Sequence, residues 1–204
     1  MKGGKIYTVS IGKIRIRAGE NLNQVWSLVR QRTNLFGSPN RIRAGDTQPF
    51  DELLSMRSHS IEIPKMTIIP GMSDKAIMTG EVTIGLFKRV MLGYTIIGHN
   101  ADKLKEILNS SVQENKALTY VSLFDAREFA DRLSVLTDRN FRVQTESEWI
   151  KARLQLTGSN WTWTETKYVD GTHVLRILNE NYRGFHFPET RYNFTAIRLV
   201  EDLK

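Results

Sequence analysis

Residues 121–153 read VSLFDAREFADRLSVLTDRNFRVQTESEWIKAR and carry the clearest structural signal in this chain of 204 residues. Ser122 stands three residues before Asp125, and Thr145 stands three residues before Glu148. In each pair the hydroxyl can accept hydrogen bonds from the free N–H groups of a first helical turn, and the carboxylate favours the positive end of the helix dipole. We therefore predict that a helix begins after each hydroxyl.

The residues between and after these two starts follow regular patterns. Apolar side chains recur at three- and four-residue spacing after the first start, at Ala126, Phe129, Ala130, Leu133 and Leu136. Such a stripe lies on one side of a helix and needs a core to cover it. Polar and apolar residues then alternate over residues 140–143 (NFRV), as in a half-buried strand. The stretch therefore predicts the order helix, strand, helix.

The same stretch resembles the central signature of the formylglycine-generating enzyme (sulfatase-modifying factor) family. Three further pieces occur in the order of that family: residues 81–83 (EVT), 158–164 (GSNWTWT) and 173–176 (HVLR). The chain is also similar to the variable proteins of diversity-generating retroelements. The resemblance covers roughly residues 60–202 and implies an α+β chain with a C-type-lectin-like fold. In that fold a few helices pack on small, twisted, mostly antiparallel sheets, and long loops form a ligand face.

The residues that the oxidases of this family need for catalysis are not matched. The resemblance implies a cysteine pair and a copper ion near the C-terminal end, and this sequence contains no cysteine. Without a thiolate that chemistry is not available. Arg176 is followed by Ile177 and not by the two glycines of the family, and its closing Gly-Phe-Arg appears as residues 196–198 (AIR). We therefore expect a shortened, cysteine-free member with no catalytic residue.

Other catalytic or metal sites are not favoured by the sequence. The chain has four histidines, at His59, His99, His173 and His186. They have no short spacing among them, which favours surface or packed histidines over a metal site. No Gly-x-Ser-x-Gly elbow or phosphate-binding glycine loop is present, and Glu146 and Glu148 lie at a helix start, where capping explains them. The calcium-dependent sugar motifs of lectins are also missing, so we expect no metal and no other cofactor.

Charge divides the chain into two parts. Residues 1–44 contain nine basic residues and one acidic residue, giving +8, and the remainder contains 20 basic and 21 acidic residues, giving −1. The whole net charge of +7 therefore lies in a segment that the resemblance does not cover. We predict a basic N-terminal docking module at residues 1–44, a linker at residues 45–60 and the lectin-like domain at residues 61–204.

The basic module combines a strand pattern with a helix pattern. Isoleucine and valine alternate with other residues around Gly12, which predicts a hairpin, and Val25 and Trp26 belong to a stretch with helical spacing. Its candidate docking residues are Lys13, Arg15, Arg17, Arg30 and Arg32. They could dock an acidic protein partner or the protein's own assembly, or form a solvated strand face that discourages aggregation. Nucleic acid is less favoured, because aromatic residues are not interleaved with these charges.

A second candidate surface lies near the C-terminus. Its candidate ligand-binding residues are Asn179, Asn181, Tyr182, Arg183, Phe185, His186, Arg191, Tyr192 and Asn193. Aromatic, amide and arginine groups together provide contact area and adaptable hydrogen bonds at low entropy cost. The resemblance to variable proteins implies that this part of the fold contacts the ligand. The alternative is a strand-loop-strand that closes the domain with its rings inside. Of Trp161 and Trp163 we expect one ring to pack inward and the other to border this face.

These patterns favour a non-enzymatic ligand- or receptor-binding or attachment protein, whose C-terminal face holds a protein or glycan receptor. The first residues lack the apolar core of a secretory signal, and no window is apolar enough to cross a bilayer. We therefore expect a phage tail, a virion or the cytoplasm as its setting, and no membrane partner. Two alternatives stay open: a metal-dependent oxidase or hydroxylase related to the formylglycine-generating enzyme, and a purely structural assembly component.

Overall fold

The structure, a computed structural model, describes residues 9–11, 14–16, 61–110, 113–178 and 182–203. The chain divides into two compact units, Met1–Thr47 and Gln48–Lys204. The predicted linker at residues 45–60 lies outside the described residues, so its boundaries stay a prediction.

The first unit contains the predicted hairpin strands. Strands β1 (Val9–Ile11) and β2 (Ile14–Ile16) pair antiparallel, and Arg15 lies opposite Ser10 in their ladder. The predicted helix around Trp26 lies outside the described residues, as do four of the candidate docking residues, Lys13, Arg17, Arg30 and Arg32. The docking role of this module therefore stays a prediction.

The second unit contains four α-helices and eight strands among its described residues. The helices are α1 (Ile84–Val90), α2 (Ala101–Asn109), α3 (Leu123–Thr137) and α4 (Glu146–Ala152). The strands are β3 (Met66–Ile69), β4 (Met72–Met78), β5 (Phe141–Val143), β6 (Trp161–Lys167), β7 (His173–Arg176), β8 (Arg183–His186), β9 (Thr195–Ala196) and β10 (Leu199–Asp202). No helix of the described residues has the length and apolar character needed to cross a membrane.

These eight strands form two four-stranded sheets. The first has the order β3-β4-β10-β5, and each neighbouring pair in it is antiparallel. The second has the order β8-β7-β6-β9, in which β6 and β9 run parallel and the other pairs are antiparallel. The unit therefore has the α+β, mostly antiparallel architecture of the C-type-lectin-like fold, as predicted.

The first sheet separates two apolar clusters. Neighbouring residues of a strand point to opposite faces of the sheet. Met78 and Leu199 join the main core with the buried faces of α1 and α3, whereas Ile77 and Val200 pack with Trp149 of α4 on the other side. Each helix with a buried face therefore has a sheet or another helix to cover it, as the apolar stripe of α3 requires.

The order helix, strand, helix is confirmed, and so are both capping boxes. Ser122 Oγ accepts a hydrogen bond from the backbone N–H of Asp125 at 3.1 Å, and the Ser122 N–H donates to Asp125 Oδ2 at 2.8 Å. At α4, Thr145 Oγ1 accepts from the Glu148 N–H at 3.3 Å, and the Thr145 N–H donates to Glu148 Oε2 at 2.7 Å. These bonds satisfy N–H groups that have no partner inside a helix.

Candidate functional site

The predicted ligand-binding segment lies at one edge of the second sheet. Among the described strands, β8 lies at the edge and pairs only with β7, so that Arg183 lies opposite Arg176 and Phe185 lies opposite Val174. The chain then passes through residues 187–194 and returns as β9 at the far edge of the same sheet. Two of the predicted residues, Asn179 and Asn181, lie outside the described residues.

Four aromatic side chains near this edge are exposed to solvent, and we call Tyr168, Tyr182, Phe185 and Phe187 the aromatic edge. Tyr182 is 70% exposed and Phe187 is 49% exposed. The rings of Tyr168 and Phe185 stack with their centroids 4.0 Å apart and an angle of 24° between their planes. The aromatic edge therefore presents large apolar faces to solvent with few rotatable bonds, a property of binding surfaces.

A second group of rings lies between the edge strand and the loop that follows it. Tyr192 stacks on Phe194 with centroids 5.2 Å apart, and the rings of His186 and His99 lie 4.7 and 5.4 Å from that of Tyr192. Tyr192, Phe194 and His186 are partly buried, and burial lowers the pKa of His186. These rings pack on one another as the closing-strand alternative predicts, while the neighbouring Asn193 is exposed.

Arg191 lies beneath this loop and not on its surface. Its side chain is 2% exposed, and Nε and Nη2 donate to the two carboxylate oxygens of Asp125 at 2.6 and 2.8 Å. Its Nη1 donates to the carbonyl oxygens of Ile97 and His99 at 2.9 and 3.0 Å. Each of its three nitrogens is already bonded, so we assign Arg191 to holding the loop against α3 and not to contacting a ligand.

Arg183 forms an ion pair with the first residue of α4. Its Nε and Nη2 donate to Glu146 Oε1 and Oε2 at 2.6 and 2.7 Å. Arg176 Nη1 lies 3.5 Å from the same Glu146 Oε1, and the guanidinium carbon of Arg176 lies 4.7 Å from the centroid of the Trp149 ring. The sequence explained Glu146 by capping, but the structure shows that its carboxylate links α4 to the edge of the second sheet.

The two tryptophans of β6 divide as predicted. Trp163 is fully buried and donates from Nε1 to the carbonyl oxygen of Val121 at 2.8 Å. Trp161 is partly buried and lies across the backbone of Gly184 in β8, since a Cβ atom at Gly184 would lie 3.1 Å from Cε3 and Cζ3 of the indole. Trp161 therefore borders the candidate surface, and Gly184 leaves room for its ring.

The family is settled by comparison with known proteins. The family model of the sulfatase-modifying factor enzyme 1-like domain matches residues 54–201. The chain belongs to this family. The matched range of this sulfatase-modifying factor enzyme 1-like domain contains all four described helices and, except for Asp202 of β10, both four-stranded sheets.

Solved structures also include similar chains. Variable protein 1 of Treponema denticola matches with a TM-score of 0.43 and 14% sequence identity, over 63% of this chain and 84% of that chain. Comparison with curated proteins finds no match.

This sulfatase-modifying factor enzyme 1-like domain lacks the ligands for a copper–thiolate site. Such a site requires cysteine sulfur, and the sequence contains no cysteine. Among the described residues, no three histidine, aspartate or glutamate side chains lie close enough together to hold a metal ion. The residues present therefore do not fit the copper ion that the resemblance to the oxidases implies.

Two histidines that are separated in the sequence meet in this domain. His173 of β7 lies directly opposite His186 of β8. His173 is buried, and its Nδ1 lies 3.2 Å from the carbonyl oxygen of Thr164, which can only accept a hydrogen bond. We therefore place the proton of the neutral ring on Nδ1. Burial lowers the pKa of His173, and the nearby positive charge of Arg127 lowers it further.

Proposed function

We propose that this domain is a non-enzymatic binding domain, and that the aromatic edge and residues 187–194 hold a protein or glycan receptor. The observation that carries this proposal is the exposure of aromatic rings at the edge of an ordered sheet, above all Tyr182 at 70% and Phe187 at 49%. Exposed aromatic side chains grouped in this way are characteristic of interaction sites, because burying them on binding gains large apolar area.

The support beneath the surface favours binding as well. Strand β8 is paired with β7 along its whole length, Arg183 is fixed by Glu146, and the following loop is fixed by Arg191 and Asp125. A surface that is ordered before binding loses less conformational entropy when the receptor arrives. The aromatic edge is therefore held in place before a receptor binds, which favours a binding function.

Receptor binding can be tested with two defined probes, a glycan array and a displayed library of random dodecapeptides. We expect ligands enriched on the full chain to bind the double variant Tyr182→Ala, Phe187→Ala at least about tenfold more weakly, because aromatic residues dominate binding energy. Ile68→Ala is the matched control, since Ile68 is also 49% exposed but lies in the other sheet. Ligands that bind the double variant as well as the unchanged chain would contradict the proposal.

The competing oxidase or hydroxylase function makes a different prediction for the purified protein. An enzyme of that kind would hold its metal with histidine and carboxylate side chains, because no thiolate is available. Elemental analysis of the full chain, expressed in medium supplemented with copper and iron, measures this directly. We expect less than stoichiometric metal, and one equivalent of copper or iron that survives gel filtration would favour the enzyme.

We also propose that the protein is a component of a phage tail or virion. A phage tail or virion component displays its binding face outward and is retained when particles are purified. Mass spectrometry of gradient-purified particles tests this placement. Absence of the chain from such particles, with the chain present in the cell lysate, would place its binding function elsewhere.

A further inference from the structure

Two arginines lie directly opposite each other on neighbouring strands beside the aromatic edge. Arg176 of β7 and Arg183 of β8 are cross-strand partners, so their side chains leave the same face of the second sheet. Like charges in directly opposite positions destabilise a strand pair unless another charge compensates them. Their position therefore requires a negative group close by.

One carboxylate supplies that negative charge. Among the described residues, Glu146 is the carboxylate within ion-pair distance of either arginine, at 2.6 Å from Arg183 Nε and 3.5 Å from Arg176 Nη1. Arg153 adds a further positive charge to this neighbourhood. Burial lowers the pKa of Arg176, and the charges of Arg183 and Arg153 lower it against the opposing effect of Glu146. Among the described residues, the two guanidinium groups of Arg176 and Arg183 therefore share one carboxylate.

Three other arginines of the described domain are balanced differently. Arg127 forms an ion pair with Glu165, and Arg139 forms one with Glu201. Arg142 pairs with both Glu148 and Asp202. Each of these guanidinium groups has at least one carboxylate of its own. The arginine pair that shares Glu146 is the exception in this set.

Some guanidinium nitrogens of Arg176 and Arg183 donate no hydrogen bond within the described residues. Arg176 is 7% exposed, and its buried Nε makes no hydrogen bond to any described residue. Glu146 occupies Nε and Nη2 of Arg183, whereas Nη1 of Arg183 bonds to no described group and its side chain is 51% exposed. The buried Nε of Arg176 is not accessible to an anion from solvent, whereas Nη1 of the half-exposed Arg183 can donate to one.

We propose that Arg176 and Arg183 together bind an oxyanion of the ligand, that is, a carboxylate, sulfate or phosphate group. All three groups accept charge-assisted hydrogen bonds from guanidinium, and Nη1 of Arg183 remains free to donate to one of their oxygens. Phe185 stands two residues after Arg183 and therefore on the same face of β8, where it stacks on Tyr168. The anion would thus be held next to apolar rings. This inference rests on the proposed binding function and gives its ligand a chemical class.

The test follows the side-chain Nε–H signals of Arg176 and Arg183 by nuclear magnetic resonance in the full chain. Sodium sulfate and sodium acetate are titrated separately, with sodium chloride holding the ionic strength constant. We expect saturable shifts of both signals. Tighter binding of sulfate would indicate that the ligand carries a sulfate or phosphate group, and tighter binding of acetate would indicate a carboxylate. Shifts that do not saturate, or that equal those caused by chloride, would overturn the inference.

Two matched variants separate an anion site from a structural ion pair. Glu146→Gln removes the competing carboxylate, and we expect sulfate affinity to rise by about tenfold because a repelling charge next to the site is lost. Glu165→Gln removes the carboxylate of the one-to-one pair with Arg127 and is expected to leave the affinity at Arg176 unchanged. An equal response of the two variants would show that Glu146 does not compete with an anion.

A third variant keeps the test informative if Glu146→Gln does not fold. Arg183→Gln alters a half-exposed side chain and is expected to abolish the sulfate response of the Arg176 signal. Persistence of that response would contradict the proposed pair. The anion site can also fail independently of receptor binding. Receptor ligands that depend on Tyr182 and Phe187 but are not displaced by sulfate or acetate would contradict the anion site and leave the proposed binding function intact.

Discussion

Arg191 and Asp125 show how single buried charges organise this domain. Their side chains are 2% and 0% exposed, and Asp125 also accepts a hydrogen bond from the Tyr94 hydroxyl at 2.9 Å. The pair joins the start of α3 to a loop 66 residues further along the chain. The sequence predicted the capping role of Asp125 from its neighbour Ser122, but its second role depends on a residue that no local pattern connects to it.

Arg198 is a second buried arginine whose role only the structure reveals. Its Nη1 donates to the carbonyl oxygen of Met78 at 2.8 Å and its Nη2 donates to that of Thr157 at 2.6 Å. Burial lowers its pKa to about 10, although the charge of Glu81 acts in the opposite direction. The sequence placed Arg198 in a family motif, whereas the carbonyl groups that bind it come together only when the first sheet has formed.

Removing the cation of the buried pair is expected to be strongly destabilising. In Arg191→Met, Asp125 keeps its buried charge without a cationic partner, and breaking a buried ion pair in this way costs about 3–5 kcal/mol. Urea denaturation followed by circular dichroism measures the loss in free energy of unfolding. Lys103→Met is the control, because Lys103 and Glu106 form an exposed pair that contributes less than about 1 kcal/mol. A loss at Arg191 no larger than that of the control would contradict the assigned role.

At the scale of helices and strands, local chemistry could be predicted and distant pairing could not. The predicted caps of α3 and α4 at Ser122 and Thr145 are confirmed, because a capping hydroxyl bonds within three residues of itself. Strand β4 was not predicted, since its first half is polar and exposed at Ser73 and Asp74. Its identity as a strand comes from β3 and from β10, which lies more than 100 residues away.

Each capping hydroxyl is expected to contribute measurably to stability. Ser122→Ala and Thr145→Ala each remove the acceptor for a first-turn N–H group, which costs about 1 kcal/mol. Ser147→Ala, at an exposed position in the first turn of α4, changes a serine without removing a cap. The urea midpoint of all three variants provides the comparison, and equal midpoints for cap and control would argue against the caps.

The histidines of β7 and β8 are expected to make this strand pair sensitive to pH. Burial lowers the pKa of His173 and His186 from their usual 6.5, so the folded state favours the neutral rings. The unfolded chain therefore binds protons first as the pH falls, and the stabilisation is complete above about pH 6.5 and is lost below it. Arg127 and Lys167 add positive charge near His173, and Glu165 opposes it.

The measurement is the free energy of unfolding at pH 7.5 and 5.5, a range in which most carboxylates stay ionised. His173→Gln is expected to lose less stability between these two pH values than the unchanged chain does. His99→Gln serves as the comparison, since His99 is exposed and lies outside both strands. A pH dependence that His173→Gln leaves unaltered would show that this ring binds protons equally in the folded and unfolded states.

At the scale of the whole molecule, the family was predictable, but the division of the C-terminal segment into exposed and buried side chains was not. The central motif identified the family, and the segment near the C-terminus does form an exposed edge. Burial of Arg191 and the link from Glu146 of α4 to Arg183 depend on how the helices lie against the second sheet. Residue types alone could not separate the side chains that face solvent from those that support them.

The division of the chain into two units predicts independent folding of the second. We expect the fragment of residues 48–204 to unfold cooperatively at the same temperature, within a few degrees, as that unit does in the full chain. Differential scanning calorimetry of the fragment and of the full chain makes the comparison. A fragment without a cooperative transition would show that residues 1–47 complete its core.

Gly184 beneath the ring of Trp161 limits how this scaffold can diversify. Any side chain at position 184 would displace the indole, whereas positions 182, 185 and 187 project into solvent and meet no such barrier. Side chains at the outward positions can therefore be exchanged while the packing underneath remains intact.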